Sequence, residues 1–121
     1  MRRVVRTGGF EEIGGYARAV RVGDIIAVSG TCDTSADDVY GQTRAAFEKA
    51  LAALAELGAG LDDVIRTRIF LAPGTDWRRS VDAHRELFGG VSPANTTLFV
   101  AGFIPDGALV EVEVDAVAQI T

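Results

Sequence analysis

The stretch LVEVEVDAVA, residues 109–118, alternates without a break. Val110, Val112, Val114 and Ala116 take one side of an extended chain, and Glu111, Glu113 and Asp115 take the other. Successive side chains of a strand point to opposite faces, so the carboxylates share a face at spacings of about 6.5–7 Å. A chain holding such a strand must build a sheet with apolar cover on one side. The acidic side must meet water, a ladder of guanidiniums or a second chain.

The rest of the chain supplies the cover. RRVVRT (2–7) suits a first strand, and EEIGGY (11–16) reads as a glycine-bearing loop. YARAVRV (16–22) and IIAVSG (25–30) flank Gly23-Asp24 and predict a β-hairpin. Ser35 and Asp38 have the spacing of a capping box. Behind them Val39, Ala46, Phe47, Ala50, Leu51, Ala53, Leu54 and Leu57 recur every three or four residues, predicting an amphipathic helix that ends at Gly58. Gly41 weakens its first turn, so the helix is expected to become firm after Gln42.

VIRTRIFL (64–71) alternates again, with Ile65, Thr67, Ile69 and Leu71 against Arg66 and Arg68. Asp76 or Thr75 can cap a second helix over 77–88, with Trp77, Val81 and Phe88 on one side and Gly89 as its stop. SPANTTLFV (92–100) reads as a loop turning into a buried strand, with Asn95 at the hinge. Helices interleaved with strands predict a single α+β domain over 1–121: one sheet with two helices on one face. The second face, bearing Arg66, Arg68, Glu111, Glu113 and Asp115, either faces water or pairs with sister subunits.

Charge and composition narrow the function. Acids outnumber bases 17 to 12, for a net charge of −5, which speaks against nucleic acid as a partner. No apolar run approaches the roughly 20 residues of a membrane helix, and MRRVVRTGG has no apolar stretch behind it to make a secretory signal. The one cysteine excludes an internal disulfide and fits a reducing cytoplasm.

Taken alone, the polar residues leave alternatives open. The carboxylate ladder is a solvated or salt-bridged face, or one member moves a proton in a partly closed cleft. His84, in DAHREL, leans to the surface and has no second ligand at metal spacing, so no metal is expected. Cys32, after Ser29-Gly30-Thr31, is expected to be a small buried side chain. Tyr16 either packs on the hairpin or stands exposed at a cleft, and the backbone at Ser29-Gly30 can point into a crevice.

Four stretches together resemble the Rid family (reactive intermediate deaminase, YjgF-like, L-PSP endoribonuclease-like). They are IGGYARAVRVGDIIAVSGT (13–31), QTRAAFEKALAALAELGAGLDDVIRTRIFL (42–71), AHRELFG (83–89) and SPANTTLFVAGFIPDGALVEVEVDAVA (92–118). The resemblance implies a chorismate mutase-like fold, with three chains closing a barrel and clefts between subunits. It implies hydrolysis of reactive enamines and imines to 2-oxo acids and ammonia, with no cofactor. It places Glu111 as the water-handling carboxylate, and Tyr16, Ser29 and Gly30 in the same cleft. Asn95 stands where the deaminases carry a carboxylate-gripping arginine, and Thr97 where many relatives carry cysteine. An amide cannot supply the charged fork, a contact worth about 1.5–3 kcal/mol. The expected substrate is therefore a small imine, enamine or related tautomer that need not be an imino acid, unless Arg18, Arg66 or Arg68 replaces the missing guanidinium. The alternative is a non-catalytic trimer that binds a small ligand or regulates a partner.

Overall fold

The computed structural model describes residues 1–118. Its strands are β1 (Arg2–Val5), β2 (Ala19–Val22), β3 (Ile25–Thr31), β4 (Val64–Leu71), β5 (Ala94–Phe99) and β6 (Val110–Val117). Its helices are α1 (Phe10–Gly14), α2 (Val39–Glu56) and α3 (Trp77–Phe88). The strands form one mixed sheet in the order β1-β2-β3-β6-β4-β5, antiparallel except for the parallel β4–β5 pair at one edge. Parallel neighbours need a crossover, and α3 supplies it.

The predicted alternation of β6 holds. Val110, Val112, Val114 and Ala116 are buried, and Glu111, Glu113 and Asp115 are half-buried on the other face. The apolar side packs with Ile26, Val28, Ile69 and Leu71 of the sheet against Phe47 and Leu54 of α2 and Phe88 of α3. Phe47 and Phe88 meet edge to face at 4.9 Å. Truncating such an aromatic to alanine typically costs about 3–5 kcal/mol.

Helix α2 starts earlier than expected and with another cap. Asp38, not Ser35, accepts from the Gly41 amide at 2.8 Å. Ser35 instead donates its amide and hydroxyl to Asp33. Gly41 does not delay the helix. A Cβ there would lie 2.6 Å from the Ala36 Cβ, so its missing side chain lets the preceding loop pack tightly. One turn on, buried Gln42 donates to the carbonyls of Ala36 and Gly107 and accepts from the Leu109 amide, fixing the approach to β6.

Four further expectations need correction. Ile65 is 54% exposed, because the β4–β6 register shifts between Val64 and Arg66 and a bulged residue changes face. In α3 the buried face is Ser80, Ala83 and Phe88, with Trp77 46% exposed. Ser80 can enter the core because its hydroxyl pairs with that of Thr43 at 2.7 Å. β5 is a largely exposed edge strand, not a buried one, having only β4 as neighbour. Finally, the EEIGGY loop contains the short helix α1, whose Glu11 is buried.

Candidate functional site

Strands β3 and β6 lose register between Val28 and Thr31, and the irregularity contains Ser29 and Gly30. Hydrogen bonds pin it in place. The Ser29 hydroxyl donates to the Ala17 carbonyl at 2.7 Å, the Ser29 amide to the Arg18 carbonyl at 2.9 Å, and Arg18 Nη2 to the Gly30 carbonyl at 2.7 Å. Gly30 lacks a side chain where Glu111 needs room. A Cβ there would lie 2.9 Å from the Glu111 carboxyl carbon and 3.0 and 3.2 Å from its oxygens. The carboxylate therefore rests on the bare backbone of Gly30, and Cys32 Sγ donates to its Oε2 at 3.5 Å.

A cavity of about 580 Å³ opens over this carboxylate. Its floor includes Gly30, Cys32, Arg18 and Glu111. Its rim is Tyr16, α1 and the loop Gly102–Pro105 between β5 and β6. Burial, then the negative charge of Glu111 and their hydrogen bond, push the Cys32 thiol up to about 12, so it stays protonated at neutral pH. At Glu11 burial works to raise the carboxyl. The hydroxyl and amide of Thr7, with help from Arg18, outweigh it and hold the group below its ordinary value.

The three carboxylates of β6 are not equivalent. Arg68 Nη1 lies 3.3 Å from Glu113 and 3.1 Å from Asp115 and ties both down. Among the described residues Glu111 forms no ion pair; its hydrogen-bond partner is the Cys32 thiol.

Asn95 and Thr97 stand elsewhere. Thr67 pairs with Asn95 and Ile69 with Thr97 across β4–β5, so both side chains lie on the helix-covered face. Glu111 pairs with Phe70, on the opposite face. Asn95 Nδ2 donates to Thr67 Oγ1 at 3.0 Å, its Oδ1 accepts from Thr97 Oγ1 at 2.8 Å, and Thr67 Oγ1 meets His84 Nε2 at 2.7 Å. A second cavity, of about 330 Å³, lies beside them and is walled by Trp77, Val81, Leu98 and Phe99.

One chain thus brings Glu111, Tyr16 and Gly30 together at one cavity and puts Asn95 and Thr97 at another. The Ser29 hydroxyl is spent on the Ala17 carbonyl. Of the three arginines that could replace the missing pocket guanidinium, Arg18 lines the Glu111 cavity, and Arg68 is engaged with Glu113 and Asp115. Sequence reasoning missed the contact of Cys32 with Glu111 and the 102–105 rim. It also set His84 at the surface, whereas the ring is half-buried against Phe47 and Phe88. Among the described residues no group of three or more His, Cys, Asp or Glu side chains could hold a metal ion, and no helix is long and apolar enough to cross a membrane.

Comparison with known proteins matches this architecture. The family model described as Endoribonuclease L-PSP matches residues 8–118. An uncharacterised protein of Streptomyces coelicolor is 45% identical over 96% of this chain and 91% of its own. The crystal structure of a member of the YjgF/YER057c/UK114 family from Mycobacterium tuberculosis superimposes with a TM-score of 0.92, at 40% identity, over 98% of this chain and 100% of that one. A 2-iminobutanoate/2-iminopropanoate deaminase of Dermatophagoides farinae is 30% identical over 85% of each chain. In sequence and in fold alike, the chain belongs to the Rid (YjgF-like, Endoribonuclease L-PSP) family.

Proposed function

We propose that this protein is a cofactor-independent hydrolase of a small reactive imine, enamine or related tautomer, working in a cleft formed between copies of the chain in a homotrimer. One observation carries the reading: among the described residues Glu111 forms no ion pair and rests on the backbone of Gly30 inside a cavity, while its two neighbours on β6 are both ion-paired with Arg68. A carboxylate free of an ion pair can take a proton from water as the oxygen attacks the imine carbon. It then returns that proton to the nitrogen, and in a second transfer carries the hydroxyl proton of the adduct to the same nitrogen, which leaves as ammonia while the carbonyl forms. Such acid–base assistance typically accelerates a step by about 10²–10⁴-fold. Tyr16 and the Gly30 backbone line the same space and would orient the ligand.

The subunit cleft is supported by the placement of Asn95 and Thr97. They cannot meet Glu111 within one chain, since the sheet lies between them, but an edge strand can reach the open face of a neighbour. The named deaminase among the relatives supports the reaction class. The low charge balance argues against RNA as substrate despite the ribonuclease in the family's description. The reading places the protein in the cytoplasm, with a small molecule as its only other partner.

A second reading has one observation in its favour. The Asn95 amide carries no charge, and both of its ends are hydrogen-bonded inside the chain. A non-catalytic ligand-binding or regulatory trimer would need no more. Ammonia release from 2-aminoacrylate and 2-iminobutanoate, generated in place, separates the two. The hydrolase reading expects weak release with 2-iminobutanoate that rises in Asn95→Arg. No release from any imine or enamine, with one still bound, favours the binding module.

A further inference from the structure

We propose that His84 is a positioning residue: through Thr67 it sets which way the Asn95 amide points, and so which of its polar atoms is offered at the second cavity. The consequence for ligands rests on the reading above, in which Asn95 meets the substrate. The coupling itself does not.

The Thr67 hydroxyl is fully buried between the two groups, 2.7 Å from His84 Nε2 and 3.0 Å from Asn95 Nδ2. A hydroxyl has one proton to give. With Asn95 Nδ2 donating to it, the Thr67 proton goes to His84 Nε2, which must then be the bare nitrogen of a neutral ring. Burial favours that state, holding the imidazole below its ordinary value. The Asn95 oxygen is left facing Thr97, whose hydroxyl donates to it at 2.8 Å.

A proton on Nε2 reverses every step. The imidazole donates to Thr67, the Thr67 proton turns toward Asn95, and the amide must rotate half a turn to present its oxygen. Its NH₂ then faces Thr97, which accepts instead of donating. Both arrangements keep the three hydrogen bonds that link His84, Thr67, Asn95 and Thr97, and rotation gives up only the long 3.5 Å contact from Asn95 Nδ2 to the Thr67 carbonyl, so the chain has two states and the ring nitrogen selects between them. Keeping the amide in place instead would leave a fully buried hydroxyl proton without an acceptor, which native interiors avoid.

Charges around the ring do not pre-empt this. The groups packed on it are Phe47 of α2, Phe88 of α3 and the Thr67 hydroxyl of β4. On α2 and α3 the flanking Arg44, Glu48, Arg85 and Glu86 are engaged in surface ion pairs, Arg44 with Glu48 and Glu86, and Arg85 with Asp82. On β4, Arg66 and Arg68 lie on the opposite sheet face from Thr67.

Nitrogen-15 NMR of the full chain tests the proposal without a ligand. The Asn95 side-chain amide is assigned by its loss in Asn95→Ala. At pH 8 the His84 Nε2 shift should be that of an unprotonated nitrogen, and the amide protons should show cross-peaks to the Thr67 methyl. Lowering the pH through the His84 titration should move those cross-peaks to the Thr97 methyl. Thr67→Ser should retain the coupling. Thr67→Val should leave Asn95 blind to pH while His84 still titrates. A protonated Nε2 at pH 8 beside an unrotated amide overturns the proposal, as does an Asn95 signal that ignores the His84 titration in the native chain. If Asn95→Ala leaves turnover and ligand binding unchanged, Asn95 does not meet the substrate and the consequence for ligands fails, while the coupling stands.

Discussion

Asn95 and Glu111 lie on opposite faces of one sheet, since Thr67, partner of Asn95, and Phe70, partner of Glu111, are three residues apart on β4. Three steps along a regular strand turn a side chain to the other side. The resemblance assigns both residues to one cleft, and this geometry lets them share it only across two chains. It also explains the open acidic face: a surface holding Glu111 above the Arg68-linked Glu113 and Asp115 is suited to receive a neighbour's edge strand.

That Glu111 forms no ion pair among the described residues sets its predicted role. Glu111→Gln keeps the shape of the side chain and removes the proton shuttle, so turnover on an accepted imine should fall by about 10²-fold or more. Glu113→Gln should cost much less, its partner being Arg68. Ammonia release by the two variants, compared at equal folded fraction, checks this. Equal losses would remove Glu111 from the mechanism.

Gly30 tests the same seat from beneath. Gly30→Ala places a methyl group about 2.9 Å from the Glu111 carboxyl carbon, so the carboxylate must move out into the cavity. Turnover should drop as far as in Glu111→Gln, with a smaller change in melting temperature. Retained turnover would show that the carboxylate need not rest there.

Cys32 should be a poor nucleophile. With its thiol pushed up to about 12 from 9.0, it holds roughly three powers of ten less thiolate at pH 8 than an ordinary cysteine. Iodoacetamide should label the folded chain correspondingly slowly, and Glu111→Gln should speed the reaction by removing the adjacent negative charge. An unchanged rate in that variant would uncouple the pair.

Stability should depend on pH through His84, the only histidine. Burial sets its folded value below the 6.5 of the free side chain. The unfolded chain therefore takes up the proton first, and stability rises with pH across that window. The contribution is complete above about 6.5 and is lost as pH falls through the folded value. The lowered carboxyls, Glu11, Asp33 and Asp82, act only at more acidic pH, below their ordinary values of 4.5, 3.8 and 3.8. Urea midpoints between pH 7.5 and 5 should fall in the native chain and stay flatter in His84→Phe.

What could be read from the sequence was what local pattern determines. Strand β6, the β2–β3 hairpin and the bulk of α2 follow from periods of two and 3.6, and the family was evident in four quoted stretches. What could not be read depends on register and neighbours. TTLF has the composition of an inner strand, yet β5 is an edge because β4 takes only one partner beyond β6. Ile65 is apolar and exposed because a bulge turned it outward. The three carboxylates of β6 are alike in sequence, and the reach of Arg68 together with the Gly30 and Cys32 contacts distinguishes Glu111. The placement of Asn95 with Thr67 and His84 needed the parallel pairing of β4 and β5.

The central claim, a site assembled from more than one chain, can be tested without a substrate. In a Cys32→Ser background, Asn95→Cys and Glu111→Cys on the same chain cannot be bridged internally, because the sheet separates them. Treatment at micromolar concentration with a short bismaleimide should yield covalent dimers and trimers on a denaturing gel. Each single-cysteine variant should remain monomeric. A double variant that stays wholly monomeric under these conditions would contradict the shared cleft.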